Sequence, residues 1–266
     1  MIKFGNSAGV GIDCLTYRSG SRMNVRNFTI AARVRRMGAG TTVSCGTLGQ
    51  LAIEPIFTHG MAEVETIGLN VNWFLGYVPA SNKFGADMED FNNGVNHPFT
   101  FLTPRTATGQ AYHIAVTYTT GDAGGSGRWS GYVDGIFDGS SGFTGLANVR
   151  TPDYATRQGA GIGISMTSNS GRNGSFNGYI WDCALWDTPL TSGEVWQLAS
   201  GRQNYMPLQI RPQNLKSYFP LDDVPDFNRV PTGGSGFLSV LDRVALSGAT
   251  MYGAATGYAS DNISYF

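Results

Sequence analysis

A chain of 266 residues, 41% of them hydrophobic, is long enough to bury a substantial core, as one large domain or as one domain with an appendage. Its net charge of −1 gives no electrostatic reason to expect a nucleic-acid or membrane-surface partner, and no apolar run approaches the ~18 residues a membrane-crossing helix needs. Its 37 glycines follow no period, which excludes collagen, and 12% aromatics argue against a disordered chain.

The opening stretch, MIKFGNSAGVGID, lacks a basic region followed by an apolar run, so no signal peptide is expected. Phe28, Ile30, Ala32 and Val34 alternate, as a half-buried strand does. Ile67, Leu69, Val71, Trp73, Leu75 and Tyr77 predict a second, longer strand, and Tyr112, Ile114, Val116 and Tyr118 a third. Trp129, Gly131 and Val133 lead into Asp134-Gly135, a two-residue hairpin turn. Ala160, Ile162, Ile164 and Met166 give one more strand. Between 176 and 186 strict alternation puts Phe176, Gly178, Ile180, Asp182, Ala184 and Trp186 on one face, with Asn177, Tyr179, Trp181, Cys183 and Leu185 on the other. Thr191 with Glu194 makes a capping box and Gly201 a C-cap, so a helix is expected over about 191–200. Two prolines mark 202–214 as a linker, after which Leu215–Leu221 predicts one short strand. The tail, 222–266, has no clear period.

Many short strands, polar glycine-rich connections and a single helix predict an all-β, antiparallel two-sheet sandwich over 1–202, followed by 203–266 as linker, returning strand and C-terminal arm. The run G-Y-I-W-D-C-A-L-W-D-T-P-L-T-S-G-E-V at 178–195 resembles the closing strand and helix of laminin-G-like, concanavalin-A-like jelly rolls. Phe28–Val34, Tyr112–Tyr118 and Gly131–Gly135 are similar to other strands of that family, in the same order. The resemblance implies the jelly-roll fold, with the strand at Leu215–Leu221 returning beside the first. It leaves lectin, glycosidase, adhesion and structural roles open.

The chemistry has to be sought in single residues. Cys14, Cys45 and Cys183 are odd in number and show no framework spacing, which argues against a disulfide-stapled domain and against a zinc site. His113 reads as a sheet histidine, and His59 and His97 as loop residues without metal-ligand spacing. The nearest approach to a glycosidase pair is Glu63 and Glu65, but the third alternating carboxylate of the related glucanases is missing, so catalysis is not expected. Laminin-G-like and pentraxin relatives bind calcium on a rim. Asp87, Glu89, Asp90, Asn92, Asn93, Asp122, Asp134 and Asp138 supply hard oxygen ligands here, yet no calcium-loop pattern places a site. No nucleophile context or phosphate loop is present, so no cofactor is expected. Trp73, Trp129, Trp181, Trp186 and Trp196 are each expected in the core. Two long insertions, 79–107 and 138–158, are candidate functional loops, although ordinary surface loops are the plainer reading.

Residues 206–222 resemble a segment found after laminin-G-like domains in tailed-bacteriophage proteins, roughly I-R-P-x-N-L-x-x-Y-x-P-L, matched by Ile210, Arg211, Pro212, Asn214, Leu215, Tyr218, Pro220 and Leu221. That resemblance implies a non-enzymatic virion structural protein made in a host cytoplasm, a capsid decoration or cement protein partnered by the major capsid protein and copies of itself. The alternative is a glycan-binding module, such as a tail adhesin or lectin, with a host glycan as partner; a glycosidase comes third. Tyr205, Phe227, Phe237, Tyr252, Tyr258, Tyr265 and Phe266 are the expected partner-binding anchors of the arm.

Overall fold

The computed structural model describes residues 2–4, 12–17, 23–46, 48–60, 71–90, 95–120, 126–144, 159–166, 172–200, 206–221, 239–242, 244 and 247–253. The strands are β1 (Ile2–Phe4), β2 (Ile12–Tyr17), β3 (Phe28–Arg36), β4 (Glu54–Gly60), β5 (Val71–Val78), β6 (Lys83–Asp87), β7 (Phe99–Thr100), β8 (Ala111–Thr119), β9 (Ser126–Val133) and β10 (Ile136–Thr144). They continue as β11 (Ala160–Ile162), β12 (Ser165–Met166), β13 (Arg172–Asn173), β14 (Gly178–Trp186), β15 (Leu215–Phe219), β16 (Ser239–Asp242) and β17 (Ser247–Gly253). One α-helix, α1 (Ser192–Ser200), is present among the described residues.

The strands build two antiparallel layers. The first runs β10-β9-β8-β3-β14, and the second β2-β11-β4-β5-β6-β7. β1 bridges them, antiparallel to β14 and touching β2 through a short parallel pairing, Phe4 opposite Ile12. The main core lies between the layers. Phe28, Ile30, Val34, Ile114, Val116, Trp129, Ile180 and Leu185 from the first meet Phe57, Trp73, Leu75, Phe84 and Ile162 from the second. Rings pack edge-on, as at Phe57–Trp73 (4.7 Å, 70°) and Phe28–Trp129 (5.7 Å, 77°), the arrangement the ring quadrupole favours. The all-β two-sheet sandwich read from alternation, and the jelly roll that the resemblance implied, are therefore the fold.

The helix begins where the capping box placed it. The Thr191 N–H donates to Glu194 Oε2 at 2.7 Å and the Glu194 N–H to Thr191 Oγ1 at 3.3 Å. Its last turn carries no basic residue of its own. Arg33 of β3 supplies the positive charge instead, donating to the carbonyls of Leu198 and Ala199. Val195 and Leu198 pack with Trp186, Leu190, Ile210, Leu215 and Tyr218 on the outer face of the first layer. The Asp134-Gly135 turn has φ of 51° and 79°, the left-handed pair that a primed hairpin turn requires.

Strict alternation fails at one point in β14. Asp182 adopts φ 51° and bulges out, shifting the register between Trp181 and Ala184. Cys183 and Leu185 thereby join Ile180 in the main core, while Ala184 and Trp186 turn to the outer cluster. The bulged carboxylate is held by the Tyr218 hydroxyl at 2.9 Å and by Arg33 at 3.3 Å. The predicted strand over 160–166 likewise breaks at Gly163, φ 72°. Trp73, Trp129 and Trp186 are fully buried as expected, Trp181 is half-buried, and Trp196 stands 46% exposed on the helix, a correction to the core expectation.

β15 pairs with Cys183–Trp186 on the edge of β14 that β1 also uses, so the two lie end to end. Farther on, β17 pairs with β2 through Gly253–Ile12 to Thr250–Thr16, and β16 completes that hairpin. Deleting 222–266 removes β17 from β2, and the expected cost is on the order of 2 kcal/mol, a fall of several degrees in Tm. A truncated chain that melts with the intact one would show that the hairpin adds nothing to the sandwich.

Candidate functional site

The structure corrects both insertions as loops: 79–107 holds β6 and β7, 138–144 belongs to β10, and 145–158 lie outside the described residues. From 79–107, His97 lays its imidazole on the Phe143 ring of 138–158, with centroids 4.0 Å apart and planes 17° from parallel. Phe143 stacks in turn near Tyr118 (6.1 Å, 13°). His97 Nε2 is 2.9 Å from Asp90 Oδ2, and the His97 carbonyl accepts the Trp129 indole N–H at 2.9 Å. Burial, with Asp90 close by, pushes the Tyr118 phenol well above its ordinary range. A second tie joins the same insertions. Asp138 accepts from Thr103 Oγ1 at 2.6 Å and from Arg105 at 3.4 Å, and Leu102 N–H donates to the Asp138 carbonyl. Aromatic stacking and buried carboxylates thus fix residues 97–105 to β10 at the sandwich edge.

Further polar groups are buried in the second layer, Glu54 on the side that meets Arg36 of β3 and Asp87 on the outer face, opposite Phe74. Glu54, Asn72 and Asp87 are fully buried there. Glu54 binds Arg36 through both oxygens, at 3.0 and 2.9 Å, and accepts the Gly40 N–H. Arg36 also lies over the Tyr77 ring, 4.4 Å from its centroid. Asp87 accepts the Gln50 N–H at 2.6 Å and faces the Asn96 amide at 3.5 Å. Burial raises its carboxyl to about 7, against the pull of these donors. Cys45 sits against Asp87, and burial pushes its thiol well up, so it is no nucleophile.

What covers this face is a small hairpin. Val43 and Ile53 exchange backbone hydrogen bonds, the Cys45 N–H donates to the Gln50 carbonyl, and the Gly49 N–H closes the turn on Gly46. Val43, Cys45, Ile53, Val71 and Phe74 form a separate small apolar cluster beneath it. At the tip Leu48 and Leu51 are exposed, and Leu48 takes φ 66°, an uncommon conformation for leucine.

The remaining candidates resolve individually. His59 is buried with Nδ1 2.7 Å from Asn72 Oδ1, and His113 is buried with no hydrogen-bond partner at Nδ1. Burial lowers the first imidazole to about 4 and the second to about 3, the second helped by Arg33. The sheet position read for His113 holds, although its Nδ1 finds no partner, and His59, expected in a loop, lies on β4 instead. Asp134 receives the His113 N–H at 2.8 Å. No group of three or more His, Cys, Asp or Glu suited to a metal ion occurs among the described residues. Asn92, Asn93, Asp122, Glu63 and Glu65 lie outside the described residues, as do Tyr205, Phe227, Phe237, Tyr258, Tyr265 and Phe266. Tyr252 is placed on β17, opposite Cys14 of β2.

Sequence reasoning missed Glu54 and the covering hairpin. Their signals were glycines: a Cβ at Gly40 would lie 3.2 Å from the Glu54 carboxyl carbon, and one at Gly49 would lie 2.7 Å from Asp87 and 3.0 Å from Asn96.

Two packed antiparallel layers with one helix on the outer face define an all-β jelly-roll sandwich. Two solved structures share this fold at TM-scores above 0.5. A heptameric pentraxin from Limulus polyphemus superposes with a TM-score of 0.51 at 17% identity, covering 77% of this chain and 83% of its own. A candidate carbohydrate-binding protein from Bacteroides ovatus superposes with a TM-score of 0.52 at 17% identity over 95% of this chain, which spans 55% of that protein's length. A tailspike protein of an Escherichia coli bacteriophage gives 0.48 at 17% identity, with 84% of this chain and 28% of that one covered. No family model matches the sequence, and no curated protein sequence matches it.

Proposed function

We propose that this chain is a non-enzymatic glycan-binding module that works on a bacteriophage particle, in the manner of a tail adhesin. The observation that carries the reading is the seating of the first insertion on β10 at one rim, fixed by the His97–Phe143 stack. Half-buried rings backed by a carboxylate suit a sugar, whose C–H faces pack on aromatics while its hydroxyls take polar partners. Similarity to a candidate carbohydrate-binding protein over nearly the whole chain supports it.

The phage-like segment favours a decoration role less than its sequence suggested. Its residues are used internally. Ile210 and Leu215 are buried in the helix-face cluster, Arg211 pairs with Glu194, Asn214 donates to Asp187 at 2.8 Å, and Tyr218 bonds Asp182. A motif built from such contacts describes how the segment docks on its own sandwich. It keeps the virion as the setting of this proposal, while the arm residues expected to carry capsid attachment, save Tyr252, lie outside the described residues.

Screening against bacterial surface polysaccharides tests the proposal. Binding is expected without hydrolysis, and Phe143→Ala is expected to weaken it about tenfold, the loss of roughly 1.4 kcal/mol of stacking. Release of reducing ends would remove the non-enzyme assignment; a chain that binds none of the polysaccharides would remove the glycan assignment.

A further inference from the structure

We propose that the tip of the hairpin over the second layer, described at residues 44–46 and 48–51, is a lid, closed in this structure, over a concealed ligand face that takes a polyhydroxylated ligand. The inference rests on the glycan reading and names the hidden part of the same site, because Asp87 and Asn96 beneath the tip adjoin His97 at the rim.

Three observations carry it. First, the face under the tip is polar in the wrong place. A sheet face that is permanently dry is ordinarily apolar, yet Asp87 and Asn96 lie there buried, and Asn96 Oδ1 has no hydrogen-bond partner. A buried amide oxygen left unsatisfied in the closed state is a group waiting for a donor, and a sugar hydroxyl is one. The carboxylate of Asp87 beside it offers acceptors to a neighbouring hydroxyl. Second, the tip is held by a few separable contacts rather than by the core. These are Gln50 N–H to Asp87, Gln50 Nε2 to the Phe99 carbonyl and Thr100 Oγ1, and the Cys45 thiol against Asp87. Its apolar support is the small five-residue cluster, distinct from the main core. Units with so little buried apolar contact open well below the cost of global unfolding. Third, the tip exposes Leu48 at 69% and Leu51 at 75% around a left-handed Leu48, apolar surface and strain that the closed state does not relieve.

Two buried cysteines give the test its internal reference. Cys45 lies under the tip and Cys183 in the main core. In a Cys14→Ser background under native conditions, a thiol reagent is expected to modify Cys45 at least about tenfold faster than Cys183. Gly49→Ala places a methyl against Asp87 and Asn96, and is expected to speed Cys45 a further several-fold while leaving Cys183 unchanged. Equal rates for the two thiols, or a Gly49→Ala effect on both alike, would overturn the lid. A polysaccharide found by screening is expected to accelerate Cys45 modification by holding the tip open, and one that leaves the Cys45 rate unchanged overturns the concealed face. The thiol rates need no sugar, so a chain that binds no glycan fails the earlier proposal while the lid is judged by Cys45 alone.

Discussion

Replacing Glu54 with glutamine is expected to cost about 3–5 kcal/mol, a fall in Tm of about 10 °C for a chain of this size. The reason is burial. Glu54 is completely buried, and Arg36, its bidentate partner, has a side chain only 17% exposed. Two desolvated charges repay their burial only while both are present and fully hydrogen-bonded, and here the Gly40 N–H and the Tyr77 ring complete the set. Hydrogen bonding to Glu54 raises the Arg36 guanidinium above its already high ordinary value, so the arginine cannot escape by losing its proton. Glutamine keeps the shape and strands the cation. The check is chemical denaturation of Glu54→Gln beside the double variant Arg36→Met/Glu54→Met. The double variant should lose less than the single one, because it removes both charges. A single variant within 1 kcal/mol of the parent would show that water reaches the pair and screens it.

Acid is expected to destabilise the chain by about 1.4 kcal/mol per pH unit between pH 6.5 and 4, roughly 3 kcal/mol in all. Two histidines and one aspartate decide the sign. His59, at about 4, and His113, at about 3, are lowered by burial, so each contributes stability that is present above about 6.5 and is lost as pH falls. Asp87, raised to about 7, works the other way, because the folded chain already holds its proton in this window and the unfolded chain does not. The unfolded state therefore takes up two protons against one held by the native state, a net difference of about one. Denaturation at pH 7, 5.5 and 4.5 reads the slope. Asp87→Asn should steepen it to about 2.7 kcal/mol per unit, and His113→Gln should bring it near zero. A flat profile for the parent chain would mean that the two imidazoles are solvated.

What could be read from the sequence was local. The Asp134-Gly135 turn, the Thr191–Glu194 box and the alternation of Phe28–Val34 are each decided within a few residues, and each stands in the structure as read. What could not be read depends on partners far along the chain. Asp182 bulges because Tyr218 and Arg33 hold its carboxylate, from 36 and 149 positions away in sequence. Asp87, within a run of acidic residues, reads as solvated; Gln50, 37 positions earlier, makes it a keystone instead. The covering hairpin has too few apolar residues to show a period, and its cluster is completed by Val71 and Phe74 of β5. The rim was half legible: insertion length marked the segment that carries His97, while its stack on Phe143 of β10 has no sequence signal.

β14 is the strand on which most of the first layer waits. It pairs with β3 on one side and with β1 and β15 on the other, and Arg33 of β3 secures the helix that follows it. Translation runs in one direction at about 5–20 residues per second, so β3 leaves the ribosome roughly ten to thirty seconds before β14 can reach it. For the first half of that interval both edges of the strand carrying Phe28, Ile30 and Val34 are bare, and once β8 has been made the edge awaiting β14 stays so. The three arginines near its end, Arg33, Arg35 and Arg36, then serve as guards on a nascent chain before they become a cap and an ion pair in the finished one.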